Sequence, residues 1–300
     1  MPPRLYVYFE AVIRHGSIRR AAEAMRVASS AINRRILDLE HELGTPLFDR
    51  HQKGVTLTAA GEIFASHVRR FLADLRHTAD ALQELNGPMR GHVLLGSAES
   101  AAIEILPRMM VDFQSRYPHV RFSVAVGTPR TLLSDLLDDR VDLILTHERP
   151  VHHDVSITGQ IGKAFCAMMR EDHPLAGCAV LSIMDCLAYP IVLAEEDLAA
   201  RSLVDLTLAD LGNQAGRGAG MASLQTNEAG ATPDGVRQRP TLVTNMFEVM
   251  KHYVRLTDAI SFQFHLAGRA RAPLDGVIAT PLADQQLADA RLYLAVRRGR

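Results

Sequence analysis

The chain lacks most of what would mark a secreted, membrane, metal-binding or catalytic protein. Its 300 residues include three cysteines, Cys166, Cys178 and Cys186. They fit neither a Cys-x-x-Cys zinc pattern nor a disulfide framework. Buried thiols are the plain reading, with a redox pair of Cys178 and Cys186 as the alternative. His152-His153 stands without an accompanying cysteine or carboxylate cluster, so no metal is expected. No apolar run approaches the ~20 residues of a membrane-crossing helix. The first residues, Met-Pro-Pro-Arg-Leu-Tyr-Val-Tyr-Phe, carry no export signal, which makes the cytoplasm the expected compartment. A nucleophile elbow, a phosphate loop and paired carboxylates in a recognisable context are all missing, so neither catalysis nor a cofactor is expected. An excess of one charge is missing too. Lys and Arg number 33 against 34 Asp and Glu, so any nucleic-acid surface has to be local.

What is present is an ordinary globular balance, 47% hydrophobic and 22% charged, over a length suited to two domains. Charge is uneven at the front. Residues 1–60 carry nine basic and six acidic side chains, and Ile18 to Arg35 holds five arginines against Glu23 alone. Leu5, Phe9, Val12 and Ile13 predict one helix. Ala21, Ala22 and Met25 predict a second behind Ser17 as N-cap, and Ile32, Ile36, Leu39 and Leu43 a third. The short connection Arg26-Val27-Ala28 makes the last two a helix-turn-helix. Pro46 to Thr58 reads as two short strands, a wing with Arg50, His51 and Lys53 at its tip. Thr58 then caps a helix that runs to Asn86. Phe64, Val68, Phe71, Leu75, Leu82 and Leu85 form a narrow seam on it, as in a dimerising coiled coil. The bland alternative is a seam covered by the chain's own domains.

Asn86 to Gly91 is a hinge by composition. Beyond it, strand-like Val93–Gly96, Val120–Val126 and Val141–Thr146 alternate with helical Pro107–Arg116 and Thr131–Asp139, which predicts a parallel α/β sheet with covered faces. Strand-like runs recur at Ala164–Met169, Pro190–Ala194, Thr241–Thr244, Ala259–Phe264 and Leu292–Arg297. Helical runs recur at Leu203–Leu211 and Asn245–Arg255. Residues 213–239, rich in Gly, Ala and Gln, read as a mobile surface segment.

Gly16-Ser17 with Ala21-Ala22, Leu39-Glu40 with Leu43-Gly44, Pro46-Leu47-Phe48, Arg50, Leu57-Thr58 and Gly61 together resemble the N-terminal signature of the LysR-type transcriptional regulators. Farther on, Leu106-Pro107, Phe113, Tyr117-Pro118, Asp142 and His173-Pro174-Leu175 are similar to that family's effector-binding half. The resemblance implies a winged helix-turn-helix over residues 1–58, a dimerising linker helix over 59–86 and a hinge at 87–91. It also implies an effector domain over 92–300, built from two α/β subdomains resembling periplasmic solute-binding proteins. Subdomain I would take about 92–163 and 265–300, and subdomain II about 164–264. As partners it implies duplex DNA at an interrupted palindrome, a second or further copy of the chain, and a small metabolite, with no membrane. Two departures stand out. Ala28-Ser29 occupies the place where the family usually has Ser-Gln, and Asn33 the place of a serine. The family usually also continues into a final helix after the Leu292–Arg297 strand.

With Ile32 and Ile36 turned inward, Ser29, Ser30, Asn33 and Arg34 face outward, where Asn pairs with adenine and Arg with guanine. Ser17 suits a phosphate at a helix start, and Arg50 and Lys53 suit the backbone or minor groove. A solvated helix face is the competing reading. Ligands of open α/β sheets bind beyond strand ends. This nominates Ser97, Ser100, Thr128 and His147 from one subdomain and Asn245 and Phe264 from the other, for a small polar metabolite, with an anion favoured. Helix capping is the competing role for these hydroxyls, and Glu99 either repels an anion or points away. Two other functions stay open. One is a DNA-binding protein whose second half only oligomerises; the other is a transport-type binding protein, against which the helix-turn-helix speaks.

Overall fold

The computed structural model describes residues 3–84, 89–218, 240–266, 276–284, 287 and 290–299. They divide into two compact units, one of Met1–Val93 with Tyr117–Arg121 and Leu137–Val141, the other of Leu94–Arg116, Phe122–Leu136 and Asp142–Arg300.

The first unit begins with α1 (Arg4–His15), α2 (Ile18–Met25) and α3 (Ser29–Leu43), each stopped by a left-handed residue: Gly16, Arg26 and Gly44. Such a residue turns the chain while its N–H satisfies the last helical carbonyls. Ser17 caps α2, its hydroxyl accepting from Arg20 N at 3.4 Å. The wing follows as β1 (Phe48–His51) paired antiparallel with β2 (Gly54–Leu57). Glu40 fixes its start, one carboxylate oxygen accepting from both Leu47 N and Phe48 N. Thr58 then opens α4 (Ala59–Glu84), accepting from Gly61 N at 3.0 Å while donating to Pro46 O. Gly61 has to be glycine, because a Cβ there would lie 2.0 Å from the Leu47 carbonyl oxygen. Phe9, Val12, Ala21, Ala22, Ile32, Ile36, Leu39, Leu47 and Phe48 form the core, closed by Ala65 and Val68 of α4.

The seam expected on α4 therefore divides. Val68 is fully buried in this core. Phe64 packs edge-on against Phe9 at 5.0 Å and against Tyr6, so neither residue is open to a second copy. The physical reason is local: α1 lies against that face of α4. Phe71 and Leu82 remain exposed, Leu75 is half-buried, and Ile63, absent from the predicted seam, is 77% exposed. Leu85 and residues 86–88 of the expected hinge lie outside the described residues.

The second unit is built on a mixed sheet, parallel where the expected βα units pair and antiparallel along its long central strand. Its elements are β3 (Arg90–Ser97), α5 (Glu99–Glu104), α6 (Leu106–Arg116), β4 (His119–Val126), α7 (Pro129–Leu137), β5 (Leu143–Thr146) and β6 (Val155–Arg170). They continue with α8 (Ile183–Cys186), β7 (Ile191–Ala194), α9 (Ala199–Gly218), β8 (Leu242–Thr244), α10 (Phe247–Leu256), β9 (Ile260–Leu266), β10 (Val277–Pro281) and β11 (Arg291–Arg297). Strand order is β4-β3-β5-β11-β6-β9-β7-β8, with β10 also on β6. The βα units pair in parallel, β3 with β5 and β7 with both β8 and β9. The 16-residue β6 runs antiparallel to all its partners and joins two halves. Its residues 155–162 pair with β11, and residues 163–170 pair with β9 and β10.

β10 pairs antiparallel with Cys166–Arg170, the second half of β6. Lys163 N donates to Ala290 O at the return. The segment 213–239 is described only to Gly218, as the end of α9; the rest lies outside the described residues.

Candidate nucleic-acid interface and ligand cleft

In the first unit, α3 keeps Ile32 and Ile36 in the core and turns Ser29, Ser30 and Arg34 to solvent, with Arg35 and Leu37 beside them. Ala28 gives α3 no side-chain cap, so the N–H groups near Ser29 and Ser30 keep the partial positive charge that suits a phosphate. Asn33 and Arg50 are brought together: Arg50 Nη1 donates to Asn33 Oδ1 at 2.8 Å, and its guanidinium reaches Glu40 at 3.4 Å. The pair ties the wing to α3. Lys53 is exposed at the wing turn, and the Ser17 hydroxyl is engaged in its cap. Arg35, beside Arg34 on the exposed face, was missing from the sequence-based set. Its signal was the arginine cluster itself.

The second unit holds a cavity of about 430 Å³, lined by Glu99, Ser100, Thr128, His147, Asn245, Gln263 and Phe264 among others. Five of the six predicted residues meet there. Ser97 does not, because it is fully buried and its hydroxyl donates to Ala98 O. Most of the wall is apolar, supplied by Val126, Met246, Phe247, Met250 and Phe262 with Phe264.

Each polar side chain has a definable state. His147 Nδ1 faces the Arg291 carbonyl at 3.3 Å, so its Nε2 accepts from the Ser100 hydroxyl at 2.7 Å. Its ring stacks on Phe264 at 3.8 Å. Burial first and the Lys163 charge second push its pKa down to about 3, which keeps the imidazole neutral. Thr128 Oγ1 accepts from Thr131 N in the first turn of α7. Asn245 precedes Met246, which is the N-cap of α10, so it lines the cleft without capping. Glu99 Oε2 accepts from Phe247 N at 2.9 Å, linking the start of α5 to the start of α10. Gln263 is 3% exposed; its amide nitrogen donates to Met250 Sδ, and among the described residues nothing donates to its Oε1. Glu99 and Gln263 were not nominated from the sequence. The signal for Gln263 was a polar residue inside the apolar run Ile260 to Phe264.

Behind the cleft, Glu104 accepts from Lys163 Nζ at 2.7 Å and His265 Nδ1 at 2.6 Å. Burial raises the Glu104 pKa, but the bonds from His265 and Lys163 outweigh it and hold the carboxyl below its usual range. Cys166 and Cys186 are buried, their thiols pushed up to about 12 by burial, which leaves them inert. His152, His153 and Asp154 stand together, and Asp154 N donates to His152 Nδ1. No helix among the described residues is long and apolar enough to cross a membrane.

Residues 3–62 match the bacterial regulatory helix-turn-helix proteins of the lysR family, and residues 86–231 match the LysR substrate binding domain. The SDS degradation transcriptional activation protein of Pseudomonas sp. is 33% identical over 191 residues, 61% of each chain. The RuBisCO operon transcriptional regulator of Allochromatium vinosum is 30% identical over 204 residues, 68% of this chain and 67% of its own. The match thus spans about three fifths to two thirds of these relatives. Full-length OxyR from Pseudomonas aeruginosa shares the fold with a TM-score of 0.69 at 17% identity, covering 98% of this chain and 88% of that one. CbnR, a LysR family transcriptional regulator, does so with a TM-score of 0.65 at 17% identity, covering 100% and 94%. With both of its parts matched in order, the chain belongs to the LysR family of transcriptional regulators.

Proposed function

We propose that this protein is a DNA-binding transcriptional regulator whose activity a small molecule switches. The observation that carries the proposal is the exposed face of α3, where Ser29, Ser30, Arg34 and Arg35 stand beside a wing presenting Lys53. Arg34 reads a base edge in the major groove; Lys53 and the α3 N-terminus hold phosphates. Arg50 and Asn33 act as a pair that sets the wing against α3, and Ser17 holds α2 in place. CbnR has been solved in complex with its target DNA, and the relatives are named as regulators, which supports this reading. The protein works in the cytoplasm as a dimer or tetramer on an interrupted palindrome, by binding rather than catalysis. The cleft around Ser100 and His147 holds the effector.

Fluorescence anisotropy on duplexes selected from genomic DNA tests the proposal. Affinity is expected to fall steeply with salt as counterions return to the phosphates. Arg34→Ala is expected to cost about 1–3 kcal/mol and to relax the preference at one base pair. A uniform loss over all sequences would make Arg34 a phosphate contact. Binding of no genomic duplex in low salt would sink the proposal.

A further inference from the structure

We infer that Leu37 of α3 packs against the 5-methyl group of a thymine in the major groove, which adds a thymine to the bases that the protein requires. The inference rests on the reading of α3 as the helix that enters DNA, and it names a second base class beside the one that Arg34 reads. Core packing on α3 falls to Ile32, Ile36 and Leu39. Leu37 is 46% exposed, a leucine turned to water on the helix face that carries Arg34. A lone exposed leucine is ordinary on a protein surface, so its position has to carry the argument.

That position is set from two sides. Ser30, Arg34 and Leu37 stand at i, i+4 and i+7, which is one stripe along a helix. Asn33 and Glu40, four residues before Leu37 and three after it, both hold the guanidinium of Arg50, at 2.8 and 3.4 Å. Leu37 therefore lies between Arg34 and the row of α3 to which the wing is tied. Asp38, exposed on the other side of Leu37 from the wing, repels phosphate. A contact at this turn is thus made with base edges rather than with the backbone. Among the four bases, thymine alone offers an apolar group in the major groove, its 5-methyl, and a leucine has no donor or acceptor with which to read any other edge. Leu37 is three positions beyond Arg34, about 4.5 Å along the helix axis, and base pairs stack about 3.4 Å apart. The thymine therefore lies within about two base pairs of the one that Arg34 reads.

The probe is the tightest duplex selected from genomic DNA, with each thymine in turn replaced by deoxyuridine, which pairs in the same way and lacks only the methyl. Anisotropy titrations with the full chain should find a position where the replacement weakens binding about fourfold, the worth of one buried methyl group. Replacement in both halves of a palindrome should cost about fifteenfold. With Leu37→Ala that position should no longer distinguish thymine from uracil. Leu37→Gln, which keeps the length and helix propensity of the side chain, should lose the discrimination too. The position should also fall within about two base pairs of the one whose preference Arg34→Ala relaxes. A duplex that binds tightly but has no uracil-sensitive position, or one whose uracil sensitivity survives in both variants, would overturn the Leu37 contact and leave DNA binding standing. Binding of no genomic duplex in low salt would overturn both readings.

Discussion

His147 shows how much one side chain's state depends on its neighbours. The sequence nominates it only as a polar residue after a strand. In the fold it stacks on Phe264, accepts from Ser100 and has its pKa pushed down to about 3, by burial first. An imidazole in the unfolded chain titrates near 6.5, so below that pH the unfolded state takes up a proton that the folded state refuses. Stability from this group is full above about pH 6.5 and declines as the pH falls toward 3. Thermal unfolding between pH 7 and pH 4.5 should therefore lose more stability in the native chain than in His147→Gln. Parallel declines would mean that the ring is solvated. Asn33 and Arg50 make a similar point: each alone reads as a DNA contact, yet they are hydrogen-bonded to each other at 2.8 Å.

Among the elements, α4 has two jobs along one length. Its first turns complete the core of the winged helix-turn-helix, which takes Phe64, Ala65 and Val68. A heptad count over the helix cannot tell this from a dimer seam, because both use apolar residues three and four apart. Burial separates them: Ile63 and Leu82 are exposed, and Phe71, which also packs edge-on against Tyr6 at 5.3 Å, keeps 37% of its surface open. Ile63→Glu with Phe71→Glu should yield folded monomers in sedimentation, since pairing would bury unmatched charge at a cost of several kcal/mol per site. Phe64→Ala should instead lower the melting temperature, by about 2–4 kcal/mol of stability for a half-buried ring, and leave the association constant unchanged. Loss of association in Phe64→Ala alone, with the melt unchanged, would return the seam to its expected position.

For the molecule as a whole, β6 is the element that makes one body of the second unit, and the bonded group behind the cleft marks the crossing. Lys163, where β6 passes from its β11 partner to β9, is 4% exposed and reaches Glu104 of α5, which also takes His265 of β9. Removing one partner of such a buried pair strands the other charge. Lys163→Met is expected to destabilise the unit by about 3–5 kcal/mol, read by urea unfolding. Lys163→Met with Glu104→Gln should recover a good part of that loss, because the stranded charge goes too. A double variant as unstable as the sum of both singles would show that the three groups act independently.

The sequence by itself determined the parts whose causes are close together in the chain. Helix starts at Ser17 and Thr58, stops at Gly16 and Gly44, the two wing strands and the inward face of α3 all follow from residues within a turn or two of each other. So does most of the βα alternation from Val93 to Thr146. Only the tertiary structure decided what depends on distant pairing. Glu99 finds Phe247 across 148 positions, and His147 finds Arg291 across 144. The first half of β6 is interrupted by Gly159 and Gly162, and β10 is a five-residue β-branched run, Val277–Pro281; which partners each takes, β11 for the one and the rest of β6 for the other, is decided by the sheet. Side-chain periodicity is a property of one element, whereas a cleft and its protonation states arise from which elements the sheet sets side by side.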